Sequence, residues 1–365
     1  MKKKIKIYFF HPYSGKGGAD LSISRLINGL DSSIYDIDFI SLNYPKIKKK
    51  IFKNIKYKKI NSNRVLFSFG KVKKIISEDK NYEKKIFISN QNFANVLSIL
   101  FLKKINNLKI VLFERNHINE LTFYNNTVDF VKKNIIKLLI KFFYRYADLV
   151  ITNSKISSKD LKSFSNASVK TIYNPCFFKL HKRKKDNNKK QIILNVARFV
   201  DQKDHLTLLK GFKNAKSNKK FILHLVGYGE KYDEIKFFIK KNNLFNVKIF
   251  YNKHDLKEIY QKSNLFILTS KYEGFPNVIV EAASFRIPII STNFKSGSSE
   301  ILLNGKAGTI FKVGDHQKLS KLIDDFCSNK KKYLIKEKKC SVSLSRFSNL
   351  KIINLFNQTL LKLIK

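Results

Sequence analysis

The chain has 365 residues, 43% of them apolar, which exceeds one ordinary domain and suffices for two packed cores. Its 73 Lys and Arg against 27 Asp and Glu give a formal net charge of +46, a balance that suits an anionic membrane, nucleic acid or a phosphorylated substrate. No stretch reaches the roughly 18 to 20 apolar residues of a spanning helix. The run from Ile5 to Phe10 is too short for a signal peptide, and Cys176, Cys327 and Cys340 form no CxxC pair, which fits a reducing cytoplasm. The lysines are spread along the chain, as on a basic surface rather than a disordered arm. Heavy use of Lys, Asn, Ile and Phe is equally what an AT-rich genome would leave behind.

Residues 4–10 predict a buried strand. The loop after it holds Gly15, Gly17 and Gly18 ahead of an apolar helix pattern over 21–30. Such a turn can aim N–H groups at a phosphate or a hydroxyl-rich ligand. Residues 36–42 predict the second strand. Asp36 and Asp38 lie inside it rather than in a loop, so this D-x-D reads as structural, and no metal-ligand cluster stands out. Residues 46–60 interleave Lys with Ile, Phe and Tyr, which serves a membrane-surface segment or a solvated rim equally well. Strands follow at 86–89, before Asn90, Gln91 and Asn92, and at 109–113, before Glu114, Arg115, Asn116 and His117. Polar residues gathered at a strand end are candidates for a ligand site. Residues 127–146 predict a long basic helix, with Val131, Ile135, Leu138, Leu139 and Phe142 at helical spacing. That apolar set reads mainly as core packing, with Lys132, Lys133, Lys137 and Lys141 toward an anionic surface. A strand and helix cap follow at 147–154. The charged run 181–190 is the linker candidate, between a first domain over 1–180 and a second over 191–345.

The second domain opens with a strand at 192–196. Arg198 and Lys203 follow on a strand-to-helix loop, where two fixed cations would bind a diphosphate and stabilise a departing nucleotide. The strand at 221–226 ends in Gly227-Tyr228-Gly229. A further strand at 264–268 runs into Glu273, Gly274, Phe275, Pro276, Asn277 and Val278. Gly274 permits close backbone approach to a ligand, and Pro276 with Asn277 opens a helix whose N–H groups favour phosphate. Glu281 falls about two turns beyond Glu273, with a carboxylate able to accept from paired hydroxyls. Two carboxylates beside a phosphate site suggest a ligand with both phosphate and sugar.

The string Glu273-Gly274-Phe275-Pro276-Asn277, then Glu281-Ala282, Pro288, Ser291-Thr292-Asn293, Ser296-Gly297 and Glu300-Ile301-Leu302 resembles the signature of the retaining glycosyltransferases of family 4. Arg286 and Ser298 depart from it, at loop positions where that family usually has Gly and often has Pro. The resemblance implies an α/β fold of the GT-B type, two Rossmann-like domains facing each other across a cleft, with the segment 346–365 crossing back to the first. It implies that Gly17 and Gly18 lie near the donor diphosphate and the acceptor, that Gly229 lies beside the nucleotide base, and that His117 lies near the transferred sugar. It further implies that Glu273 contacts sugar hydroxyls, Glu281 the ribose, and Arg198 with Lys203 the diphosphate. No cofactor or metal is required. The substrates would be a nucleotide-sugar donor, taken as UDP-linked, carrying a hexose or N-acetylhexosamine, and a lipid-linked or surface-glycan acceptor such as capsule or O-antigen. A cytoplasmic place on the inner face of an anionic membrane follows, without nucleic acid as a partner. Two rivals stand beside this reading. One is a basic nucleic-acid- or membrane-binding protein with a degenerate site; the other is a GT-B sugar-nucleotide epimerase.

Overall fold

Apolar runs bounded by turn residues form parallel strands in two separate sheets. The computed structural model describes residues 4–13, 17–43, 55–124, 126–182, 190–253 and 255–365. Ser14, Gly15 and Lys16, most of the 46–60 segment and most of the 181–190 linker lie outside them. The chain divides into two compact units, one of Met1–Pro175 with Asn349–Lys365 and one of Cys176–Ser348. The division falls ahead of the expected boundary at 180, and the first unit takes in the C-terminal helix Asn349–Leu363.

The first sheet comprises β1 (Ile5–Phe10), β2 (Tyr35–Ser41), β3 (Lys56–Lys59), β4 (Lys85–Asn90), β5 (Leu108–Glu114), β6 (Leu149–Thr152) and β7 (Val169–Thr171), ordered β3-β2-β1-β4-β5-β6-β7. Every strand pairing in it among the described residues is parallel. Helices cover both faces, so β1 is buried along its whole length and, Lys6 apart, reads as an apolar run rather than an alternation. One face packs Phe69, Val72, Leu97 and Tyr144. The other packs Ile23 and Ile27 against Ile352, Phe356 and Leu360 of the C-terminal helix. Asp36 and Asp38 sit in β2 and both bind the buried Lys6 ammonium, at 3.1 and 2.7 Å, so this pair holds β1 to β2. The described end of the 46–60 segment is β3, an edge strand on β2 with half-exposed side chains.

One expectation fails in this unit. Val131, Ile135, Leu138 and Phe142 do not pack into the core: each is about half exposed. The helix Thr127–Phe143 instead turns Ile136, Leu139, Ile140 and Phe143 to the core. It carries two apolar stripes, and helical spacing alone does not say which one faces inward.

The second sheet comprises β8 (Gln191–Val196), β9 (Phe221–Gly227), β10 (Val247–Tyr251), β11 (Leu265–Leu268), β12 (Ile289–Thr292) and β13 (Thr309–Phe311), ordered β10-β9-β8-β11-β12-β13 and again parallel. Phe199, Leu209, Phe212, Leu225 and Phe326 centre its core. In each sheet the strand order reverses once, between β1 and β4 and between β8 and β11. These reversals open crevices at the carboxyl ends of parallel strands, where ligands of such sheets bind.

Candidate functional site

In the second unit the loops after β8, β11 and β12 gather at the reversal. Arg198 lies at the end of β8, exposed, and its side chain has no hydrogen-bond or ion-pair partner among the described residues. Lys203 closes the short helical turn Asp201–Lys203 and is ion-paired to Glu273, both side chains being largely shielded from solvent. The same carboxylate accepts from the Ser270 hydroxyl at 2.9 Å. The two loops are further stitched by Lys271 N to Gln202 O at 2.8 Å, Gln202 Nε2 to Tyr272 O at 2.8 Å, and Thr269 Oγ1 to Lys203 O at 3.0 Å. Ser296 donates to the Glu273 carbonyl. Gly297 lies so close that a Cβ there would meet Pro276 Cδ at 2.7 Å and Gly274 O at 3.1 Å. Behind Lys203 the His205 ring packs on Phe199, and burial with the Lys203 charge pushes its pKa down to about 3, so it stands neutral.

The remaining residues of the signature divide. Pro276 caps the helix Asn277–Ser284, which Asn277 and Val278 open. Phe275 is buried, edge-on to Phe347 at 5.1 Å, and so packs that loop onto the unit's interior. Glu281 is half-buried on the same helix and accepts from the buried Tyr260 hydroxyl at 3.2 Å. Gly229 has φ of +147°, and a Cβ there would stand 2.3 Å from Phe199 O. Phe199 N donates to Tyr228 O at 2.7 Å, so the loop after β9 lies against the loop that carries Arg198 and Lys203.

In the first unit Gly17 and Gly18 precede and begin the helix Gly18–Asn28 beside the end of β1. Gly17 N donates to Asp20 Oδ2 at 3.2 Å. His11, the residue after β1, is the centre of this corner. Its Nδ1 accepts from Asn90 at the end of β4 at 2.9 Å, leaving Nε2 to donate to Asp20 Oδ1 at 2.9 Å. It thus spans the β1/β4 reversal. Its proximity to a strand end in a glycine-rich loop was the available signal. The neighbouring Arg115 feels the Asp20 charge, and its Nε and Nη2 are buried without a hydrogen-bond partner among the described residues. Burial lowers its pKa to about 10.

His117, expected near the transferred sugar, is bound within the first unit. Its Nδ1 accepts from Asn119 N at 3.1 Å, capping the helical turn Ile118–Thr122, and its Nε2 lies 3.0 Å from Asp160 Oδ2. Both ring nitrogens are engaged within the protein and the ring is buried, which suits holding the strand end in place. Next to it, Glu114 accepts from Tyr144 Oη at 2.8 Å, and Tyr144 accepts from Asn95 at 3.1 Å. Burial pushes the Glu114 carboxyl up to about 8 in spite of these bonds.

The model of the family described as glycosyl transferases group 1 matches residues 177–341. An uncharacterized glycosyltransferase of Methanocaldococcus jannaschii is 30% identical over 297 residues, covering 74% of this chain and 71% of that protein. The Campylobacter jejuni GalNAc-alpha-(1->4)-GalNAc-alpha-(1->3)-diNAcBac-PP-undecaprenol alpha-1,4-N-acetyl-D-galactosaminyltransferase is 23% identical over 338 residues, 88% of each chain. Among solved structures, Anabaena Alr3699/HepE, in complex with UDP and glucose, shares the fold with a TM-score of 0.79 over 98% of this chain and 99% of that one, at 19% identity. The matched region lies within the unit that carries Arg198 and the Lys203–Glu273 pair, and the long alignment extends the kinship beyond it: the chain belongs to the glycosyl transferases group 1 and is a glycosyltransferase.

Proposed function

We propose that this glycosyltransferase moves a hexose or N-acetylhexosamine from a UDP-linked donor to a lipid-linked or surface-glycan acceptor, with retention at the anomeric carbon as in family 4. One observation carries the reading: a shielded Lys203–Glu273 pair, its lysine on the loop that also carries an exposed Arg198, whose side chain has no partner among the described residues, at the point where the second sheet reverses its strand order. A cation already held by a carboxylate can shift its hydrogen bonds to a diphosphate without a search of rotamers, and an unpartnered guanidinium nearby supplies bidentate contact. The same carboxylate is then placed to accept from sugar hydroxyls. UDP in the HepE structure and a PP-undecaprenol acceptor in the name of the Campylobacter relative support the choice of substrates.

In the proposed step the bond between the sugar anomeric carbon and the β-phosphate oxygen breaks. Arg198 and Lys203 stabilise the charge that develops on the leaving UDP. The acceptor hydroxyl bonds to the anomeric carbon from the same face and its proton passes to the departing phosphate oxygen. The amides opening Asn277–Ser284 add N–H donors to the phosphate or sugar, and Glu281, held by Tyr260, accepts from the ribose. We assign the acceptor side to the first unit, to the corner of Gly17, Gly18, His11 and Asp20, with His117 as a positioning residue. A thermal-shift screen against UDP-, GDP- and ADP-sugars tests the donor: a rise confined to UDP-sugars is expected, because a ligand bound to the native state raises its melting temperature. A rise with another nucleotide alone would refute the UDP assignment. NMR of the first-formed product reports whether the anomeric configuration is retained.

A further inference from the structure

The outward stripe of the helix Thr127–Phe143 is not explained by the core or by the donor site. Val128, Val131, Ile135, Leu138 and Phe142 recur every three or four residues and are 47–62% exposed. An ordinary solvated helix face carries polar residues at these positions. At about 100° per residue the stripe is flanked by Lys132 on one side and by Lys141 and Arg145, just past the helix end, on the other. The helix has one acid, Asp129, and it is paired with Lys133 at 2.9 Å. A further apolar residue, Leu100, is half exposed on the adjacent helix Asn92–Leu102.

We infer that this stripe is a membrane-docking face that lies in the headgroup region of an anionic bilayer. The apolar row enters the acyl boundary and the flanking cations meet lipid phosphates, each cation tightening binding about fivefold. Charge decides the occupant. A second copy of the chain would set Lys132, Lys141 and Arg145 against their own counterparts with no free acid to offset them, whereas an anionic surface complements all of them. Four lysines within the helix suit a segment that rests in the interface rather than one that crosses. The connection from β5 starts the helix at the carboxyl edge of the first sheet, the edge that also carries His11 and Gly17. Docking there would present a lipid-linked head group to that edge. In this respect the inference deepens, and rests on, the acceptor reading given above.

The chain contains no tryptophan, so Leu138→Trp places a single reporter in the stripe and Phe245→Trp, 90% exposed in the second unit, places a control. With vesicles of phosphatidylcholine and phosphatidylglycerol, the emission of the first variant should move to shorter wavelength, the control should not move, and phosphatidylcholine alone should move neither. In co-sedimentation with the same mixed vesicles, Ile135→Glu/Leu138→Glu should weaken binding at least about tenfold, with an unchanged melting temperature because both residues are exposed. No shift at position 138, an equal shift at 245, or a dimer in sedimentation velocity that the double variant dissolves would overturn the proposal. If the double variant does not fold, the tryptophan readout still decides. Neither measurement uses donor, acceptor or turnover, so an incorrect substrate assignment would leave both results intact and would show up only in the donor screen.

Discussion

Lys203 and Glu273 are separated by 70 positions in sequence and share one ion pair, so removing either partner does more than delete a ligand contact. Lys203→Ala leaves a shielded carboxylate without its counter-ion, and Glu273→Gln keeps the shape while removing the charge. Under the proposed step, transfer should fall on the order of a hundredfold or more in kcat for Lys203→Ala and Arg198→Ala, since each would remove a donor to the charge that develops on the leaving group. For Arg198→Ala the melting temperature should stay put, because the exposed guanidinium has no partner among the described residues. An Arg198→Ala enzyme with wild-type kcat would remove it from the mechanism. Glu114 carries a pH prediction. Its folded carboxyl titrates near 8 against an ordinary 4.5, so folded protein holds a proton that the unfolded chain releases. Its contribution to stability is full below pH 4.5 and declines as pH rises toward 8. Glu114→Gln, neutral throughout, should therefore gain on wild type in melting temperature as pH is raised across that window. A difference that stays flat with pH would show the carboxyl to be ionised in the fold.

Among the elements, the loop after β9 is held by a conformation that only glycine adopts at ease. At Gly229 both φ and the 2.3 Å approach to Phe199 O exclude a side chain. Gly229→Ala should lower the melting temperature by several degrees, and donor affinity should fall with it, because Phe199 shares its backbone bonds with the loop that carries Arg198 and Lys203. Unchanged donor affinity in a destabilised variant would detach this loop from the site. The strands themselves were legible in the sequence: apolar runs such as 221–226 and 264–268 are bounded by turn residues and emerge as β9 and β11 nearly residue for residue. Short β7, of three residues, carries too little pattern to register. The two-striped helix Thr127–Phe143 was misread because periodicity gives a face, not its direction. The site was half legible. Arg198, Lys203, Glu273 and Glu281 stood out through local spacing, whereas His117's bond to Asp160 and His11's to Asn90 join residues 43 and 79 positions apart. Only the folded sheet reveals that the first histidine is tied on both nitrogens and that the second bridges a strand-order reversal.

At the scale of the whole molecule, the second unit is one uninterrupted stretch, Cys176–Ser348, with its own sheet and core. Expressed alone, residues 176–348 should fold and show a donor-dependent rise in melting temperature, while losing transfer to any acceptor. A fragment that folds without responding to any donor would place donor binding beyond this unit. The first unit is discontinuous. Ile352, Phe356 and Leu360 complete one face of its core, Phe113 packs on Phe356 at 5.7 Å, and Tyr35 donates to Asn357 at 2.6 Å. During synthesis from the N-terminus, residues 1–175 therefore emerge with an open apolar face and wait until 349–365 have been made. A ribosome that stops early, or a protease that clips after Ser348, releases a chain whose donor unit is whole but whose first unit lacks its last helix. That defect uncovers the face on which Ile352, Phe356 and Leu360 pack, so a chain cut after Ser348 should bind a hydrophobic dye that the intact chain does not.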